Sequence, residues 1–333
     1  MKEAKEFKHF YKLAGILLLF TTISACEKNK YDLLDPSLTG QWTLFNTSTG
    51  LPGNYVGDII CDSKNNLWFT FSGYGAASFT NGTWATYNTA NSAILSNYVN
   101  CVAETATGSI IFGTINGLSI KASNGQWSSY IDPLATMNVK TIKVTSNKWI
   151  WVGTRGQGFY VNDGSGYLNL YSTSFNNVNA IEEDNSGNIY LGTDNGILKW
   201  DGAKWTVITT TNGLSSMKVQ ALFFDSQQRL WIGPNGGQTV SWIDKAGIMH
   251  QLSLMNGNVG TFVRDIYEDR KGDIWFATWL DGLICFDGVI PHSYKVYNGF
   301  YDDNINSIGQ DNDGNLWFGL YYKGLVKYSL PLY

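Results

Sequence analysis

Residues 305–330 read INSIGQDNDGNLWFGLYYKGLVKYSL, and this stretch decides the fold. It has four parts. A short apolar run opens with Ile305-x-x-Ile308. An Asp- and Asn-rich turn, 311–315, leads into Leu316-Trp317-Phe318. Gly319 then precedes a few variable residues and Gly324-Leu325. A last apolar run ends at Leu330. Runs of four to seven residues, β-branched and aromatic and broken by Gly and Asn, are strands. A helix needs 10–15 residues of amphipathic pattern.

The same unit recurs along the chain. The opening pair recurs as Val56-Ile59, Val99-Val102, Val139-Ile142, Val178-Ile181, Val219-Leu222 and Val263-Ile266. The centre of the second strand falls at Trp68, Ile111, Trp151, Tyr190, Trp231, Trp275 and Trp317, at spacings of 43, 40, 39, 41, 44 and 42. Seven in-phase copies of about 40 residues, each with several short strands and a recurrent Trp, predict a seven-bladed β-propeller of four-stranded blades, an all-β fold. The Trp and Tyr positions supply bulk between blades. Cys101, Thr141, Ala180, Ala221 and Ser307, at one inner-strand position, supply narrowness near the axis. The last copy stops after its third strand. An orphan strand, Gln41–Phe45, precedes the first copy. The N-terminal strand is therefore expected to complete the last blade, closing the ring and covering a sheet edge.

Residues 1–25 stand outside this pattern. Lys2, Lys5, Lys8 and Lys12 precede an apolar run from Leu13 to Phe20, which is short for a bilayer span. Ile23-Ser24-Ala25-Cys26 follows and resembles a bacterial lipobox. That resemblance implies cleavage before Cys26 and lipidation of its thiol. Several acyl chains on one cysteine give a firm membrane anchor. Residues 26–40 are polar and read as a flexible tether, and 41–333 as the propeller. Without the four lysines and two glutamates of the leader, 19 basic and 25 acidic residues remain, a net charge of −6. That balance argues against nucleic acid, which needs a basic footprint. Cys61, Cys101 and Cys285 lie in apolar runs and are expected as buried free thiols.

At this point the residues resemble a known family. Asp184-Asn-Ser-Gly-Asn-Ile-Tyr-Leu-Gly-Thr-Asp-Asn-Gly-Ile197 is similar to the two-component regulator propeller repeat, as is Asp311-Asn-Asp-Gly-Asn-Leu-Trp-Phe-Gly319 with Gly324-Leu325. The resemblance spans 41–333. It implies the periplasmic sensor propellers of hybrid histidine kinases, found in bacteria that degrade polysaccharides. This sequence carries neither a spanning helix nor a kinase, so a stand-alone lipoprotein is expected. Only a recognition role carries over, by analogy.

The chemistry follows from what the repeat leaves free. His250 and His292 fall at outer strands of different blades, far from the axis; two histidines are too few for a histidine metal cluster, and a triad would need one of these peripheral residues. Asp58 and Asp265 share one inner-strand position, where they could line the channel as polar groups or serve as an acid–base pair. The Asp-rich turns lack the terminal Glu of a calcium loop and read as hairpins. No enzyme, cofactor or metal is expected. The variable positions between the second and third strands share one face: Tyr74, Asn116, Arg155, Asn195, Asn235, Trp279, Asp281, Tyr321 and Tyr322. Tyr55, Tyr98, Phe300 and Tyr301 join them from the blade-to-blade loops, and Arg264, Lys140 and Gln220 sit at the channel entrance. Aromatics beside Arg, Asn and Asp suit a sugar or a peptide. The expectation is a monomeric, lipid-anchored recognition module of the cell envelope, in the outer membrane on its periplasmic or surface side, with a glycan or protein ligand at the channel mouth. A scaffold in an outer-membrane assembly and a propeller lyase or hydrolase are the alternatives. If Cys26 is the anchor, metabolic labelling with a fatty-acid analogue will mark the wild-type chain and leave Cys26→Ser unlabelled. Equal labelling of both would remove the anchor.

Overall fold

The computed structural model describes residues 41–130, 137–165, 169–172, 175–237, 239–254 and 262–329. Residues 1–40, with the expected leader, lipidated Cys26 and tether, lie outside them, as does Leu330. The described residues form seven four-stranded antiparallel sheets. The blades run 56–87, 99–130, 139–172, 178–208, 219–252 and 263–294, and the seventh joins 305–329 to 41–45. In that last blade Gln41 lies opposite Ser329 and Phe45 opposite Leu325. Its inner strand, Ile305–Gln310, packs on that of blade 1, Val56–Cys61, and closes the ring. The expected propeller and its clasp are both present. No helix among the described residues is long and apolar enough to cross a membrane.

The blades fit by one repeated contact. The first residue of each inner strand is fully buried. Where the preceding blade's second strand carries Gly, that side chain fills the space a methyl would need. A Cβ on Gly113, Gly153, Gly192, Gly233 or Gly319 would lie 2.6 to 2.9 Å from Cγ1 of Val139, Val178, Val219, Val263 or Val56. The Thr after the glycine pins the following loop. Thr114, Thr154 and Thr193 each donate a hydroxyl to the carbonyl of the loop's last glycine, at 2.7–2.9 Å. That glycine needs a left-handed backbone: Gly196 has φ +97°, and a Cβ there would collide with the Ile208 carbonyl.

The Asp-rich turn and the Trp are one device. In blade 5 the Asp225 carboxylate accepts the turn N–H groups of Gln227 and Arg229 on Oδ1, and the Trp231 indole N–H at 2.8 Å on Oδ2. Asp62–Trp68, Asp269–Trp275 and Asp311–Trp317 repeat it at 2.9–3.0 Å. Asp184 takes the Tyr190 hydroxyl instead. Every such carboxylate is saturated by its own hairpin, which explains the Asp without calcium. Blades 2 and 3 have Thr105 and Thr145 in its place.

The N-terminal strand is held by aromatic packing as well as by its ladder. Trp42 lies 4.4 Å from Tyr328 and 5.4 Å from Phe300, and Phe45 stacks on Trp317 at 5.6 Å. The three cysteines among the described residues are free thiols. Cys101 and Cys285 are buried as expected, but Cys61 is half-exposed. It ends an inner strand at the turn, at the edge of the cluster between blades 7 and 1, and its Sγ lies 3.4 Å from Asn65 Oδ1.

The blade fit predicts a coupled pair. Gly233→Val overpacks against Val263 and will lower the unfolding free energy by about 1–3 kcal/mol. Val263→Ala will also destabilise, by leaving a cavity. The double variant, in which the new methyls enter that cavity, will lose less than the two losses summed. Additive losses in urea unfolding would sink the contact as described.

Candidate ligand site at the channel mouth

Alternating strand directions send the loops between second and third strands, and the connections between blades, to one face. The Asp-rich hairpins lie on the other. Inner strands ring a central cavity of about 510 Å³. The second residue of each inner strand forms a rim: Gly57, Asn100, Lys140, Asn179, Gln220, Arg264 and Asn306. This rim holds two cations, four carboxamides and no acid. The third residues follow: Asp58, Cys101, Thr141, Ala180, Ala221, Asp265 and Ser307.

The carboxamides and carboxylates of these rings stitch blade to blade. Asn100, Asn179 and Asn306 donate to the carbonyls of Val139, Val219 and Val56 in the next blade, at 2.7–3.0 Å. Asp58 accepts Ile59 N–H in its own strand and Val102 N–H in the next blade, at 2.8 and 2.9 Å. Asp265 does the same with Ile266 and Ile308, both at 2.8 Å. Burial raises both carboxyl pKa values, Asp265 to about 8, where the nearby Asp58 charge adds to the effect. Burial also lowers the Lys140 pKa, with Arg264 and Arg155 adding like-charge repulsion. Deeper in the channel Lys143 pairs with Glu182 at 2.6 Å.

One arc of the mouth is aromatic. Trp279 meets Tyr321 edge-to-face at 4.5 Å, and Tyr321 meets Tyr322 at 4.5 Å and Tyr55 at 4.6 Å. The Arg264 guanidinium lies 4.9 Å from the Trp279 ring centroid. Tyr322, Leu280, Tyr74 and Tyr98 extend the arc, each more than half exposed. Tyr74 covers Gly53, where any Cβ would strike its ring. The opposite arc is polar. Asn116, Arg155, Asn195 and Asn235 are exposed there.

Four of the expected residues, Arg264, Trp279, Tyr321 and Tyr322, thus form one contiguous cluster across blades 6 and 7, joined by Tyr55. Tyr74 stands beside it, and Asn116, Arg155, Asn195 and Asn235 stand apart from it. Asp281 is buried, with Lys295 Nζ 3.4 Å from its Oδ1. Phe300 is buried against Trp42. The asparagines at 100, 179 and 306 were not singled out from the sequence. Their signal was Asn at the second position of three of the seven repeats. His250 stacks on Trp242 at 4.0 Å and meets Asp244 at 3.0 Å, while His292 meets Asp287 at 3.0 Å. Both lie on outer strands.

A family model described as Two component regulator propeller matches residues 50–73, 172–195, 213–236, 257–280 and 302–322. The chain carries the two component regulator propeller repeat. The matched segments open blades 1, 4, 5, 6 and 7, the five blades whose Asp turn binds a Trp or Tyr. The unmatched blades 2 and 3 have Thr there. Among solved structures, the chain is similar to the extracellular domain of a hybrid two component system from B. thetaiotaomicron, with 23% identity and TM-score 0.75 over 87% of this chain. It is also similar to the extracellular domain of a one component system from the same organism, with 20% identity and TM-score 0.73 over 87% of this chain. The chain spans 41% and 40% of those two structures. A virginiamycin B lyase from Staphylococcus aureus shares 15% identity and TM-score 0.71, covering 88% of this chain and 99% of the lyase. No curated protein sequence matches.

The raised Asp265 pKa fixes a sign. Unfolded, this carboxyl loses its proton near pH 4; folded, it keeps it to about 8. The unfolded state binds fewer protons across that window, so this group's contribution to stability falls as pH rises from 4 to 8. Melting of the wild type against Asp265→Asn will show the difference between them shifting in the variant's favour as pH rises from 5 to 8. A constant difference would contradict the protonated carboxyl.

Proposed function

We propose that this protein is a lipid-anchored recognition module of the cell envelope that binds its ligand on the loop face at the channel mouth. The observation that carries this reading is the cluster of Tyr55, Trp279, Tyr321 and Tyr322 with Arg264, which offers apolar ring surface beside a cation at the entrance of a 510 Å³ cavity. That volume lies within the range of small-ligand sites. The envelope location rests on the leader and on the similar solved structures, which are described as extracellular domains. A glycan is the favoured ligand: sugar rings lie flat on aromatic faces, and their hydroxyls meet the carboxamides of the opposite arc. A polypeptide ligand would make the module a scaffold.

A lyase or hydrolase reading would rest on Asp58 and Asp265. All four of their oxygens already accept a strand N–H that holds neighbouring segments, so these carboxyl groups serve the ring first.

A ligand that binds only the folded state raises the melting temperature. The soluble form starting at Glu27 is expected to melt higher with at least one member of a panel of oligosaccharides. The Trp279→Ala/Tyr321→Ala double variant is expected to lose that rise. A rise retained by the double variant would move the site elsewhere. No rise with any glycan, together with a polypeptide recovered from membranes that the double variant fails to hold, would make the ligand a protein.

A further inference from the structure

The rim carries charge that its own fold does not use. Arg264 has a ring beneath it but no acidic partner, and neither Lys140 nor Arg155 is in an ion pair among the described residues. Lys140 is half-buried and lies within electrostatic reach of both arginines. Gathering cations at a partly desolvated rim costs free energy unless an anion completes them. The acids of the next ring fill that role only in part: Asp58 lies within electrostatic reach of Lys140 but forms no ion pair with it among the described residues. Asp58 and Asp265 are turned to strand N–H groups, and Asp265 holds its proton to about pH 8. A second observation points the same way. Asn306 is among the residues lining the cavity, and its Oδ1 is buried without a hydrogen-bond partner among the described residues. The fold leaves this acceptor at the mouth unsatisfied.

Resting on the reading above, we infer that the mouth binds a uronate-bearing oligosaccharide, whose carboxylate sits between Arg264 and Lys140 while a sugar ring lies against the Trp279–Tyr321 wall. The ligand must present an anion, a flat apolar face and several hydroxyls together, and an acidic sugar does so. An extended peptide recognised by strand pairing fits less well. The inner-strand groups it would pair with are engaged: Val102 N–H and Ile308 N–H by carboxylates, Val139 and Val219 carbonyls by asparagines. The acid layer below the rim keeps the carboxylate at the entrance, because an anion moving deeper would meet Asp58.

The test is titration calorimetry of the soluble chain with oligogalacturonate, oligomannuronate and oligoglucuronate, each beside its carboxyl-reduced neutral counterpart. The expected result is that at least one uronate binds and its reduced form binds at least about tenfold weaker, as a charge-assisted contact requires. Arg264→Gln and Lys140→Gln should each weaken the uronate about tenfold, and the wild-type affinity should fall with added salt. The salt series uses the unaltered protein and stands even if a variant folds poorly. Equal binding of acidic and reduced forms, or binding of neutral sugars alone, would overturn the inference while leaving a glycan site in place. No binding of any sugar, with a polypeptide bound instead, would overturn both.

Discussion

The structure depends on how closely one blade approaches the next. At five of the seven interfaces a Val at the head of an inner strand occupies the volume that a side chain on the preceding blade's second strand would take, and a glycine leaves that volume open. Close-packed interiors tolerate neither the extra methyl nor the missing one. The two exceptions compensate locally. Ala277 takes the small-residue position in blade 6. In blade 1 Thr70 stands there, and Gly57 across the strand pair makes room, since a Cβ on Gly57 would lie 2.8 Å from Thr70 Oγ1. The Trp residues fill the wider outer part of each wedge, and the Asp of each hairpin satisfies the indole N–H that this burial would strand.

That fit sets where chemistry is available. Inner-strand first residues are committed to the interface and cannot vary. The second residues point over the rim, and the third line the channel. The repeat therefore constrains the blades and leaves a free ring at one end. Four of the seven rim positions hold carboxamides, and three of these four, the asparagines, link blades as well as lining the mouth. Among the described residues, Arg264 and Lys140 take part in no ion pair between blades. Residues that the ring does not need, gathered beside an aromatic wall, are where recognition is expected to lie.

Much of this was legible in the sequence because it is periodic. Seven in-phase copies of Val-x-x-Ile and of the second-strand aromatic carry the blade number. The missing outer strand after Gly324 and the orphan Gln41–Phe45 carry the closure. The variable positions before Gly-Leu showed which side chains gather on the loop face, and Trp279, Tyr321 and Tyr322 are neighbours there. What a repeat cannot show is contact between copies at its seam. Tyr55 touches Tyr321 because the ring closes, and Asn306 reaches the Val56 carbonyl for the same reason. Nor does position in the repeat reveal burial. Asp281 and Phe300 occupy loop positions, yet one pairs with Lys295 and the other packs on Trp42. Cys61 sits in an apolar run, yet its strand ends at the turn and leaves the thiol half-exposed.

The central claim is that the loop face at the channel mouth is where this protein meets its ligand. Hydrogen–deuterium exchange of the soluble chain, with and without a sugar that raises its melting temperature, tests this most directly. The account predicts that added protection concentrates in peptides covering residues 53–57, 262–266, 279–282 and 320–323. Protection confined to the outer strands, or to the hairpins at Asp184 and Asp225 on the opposite face, would contradict it.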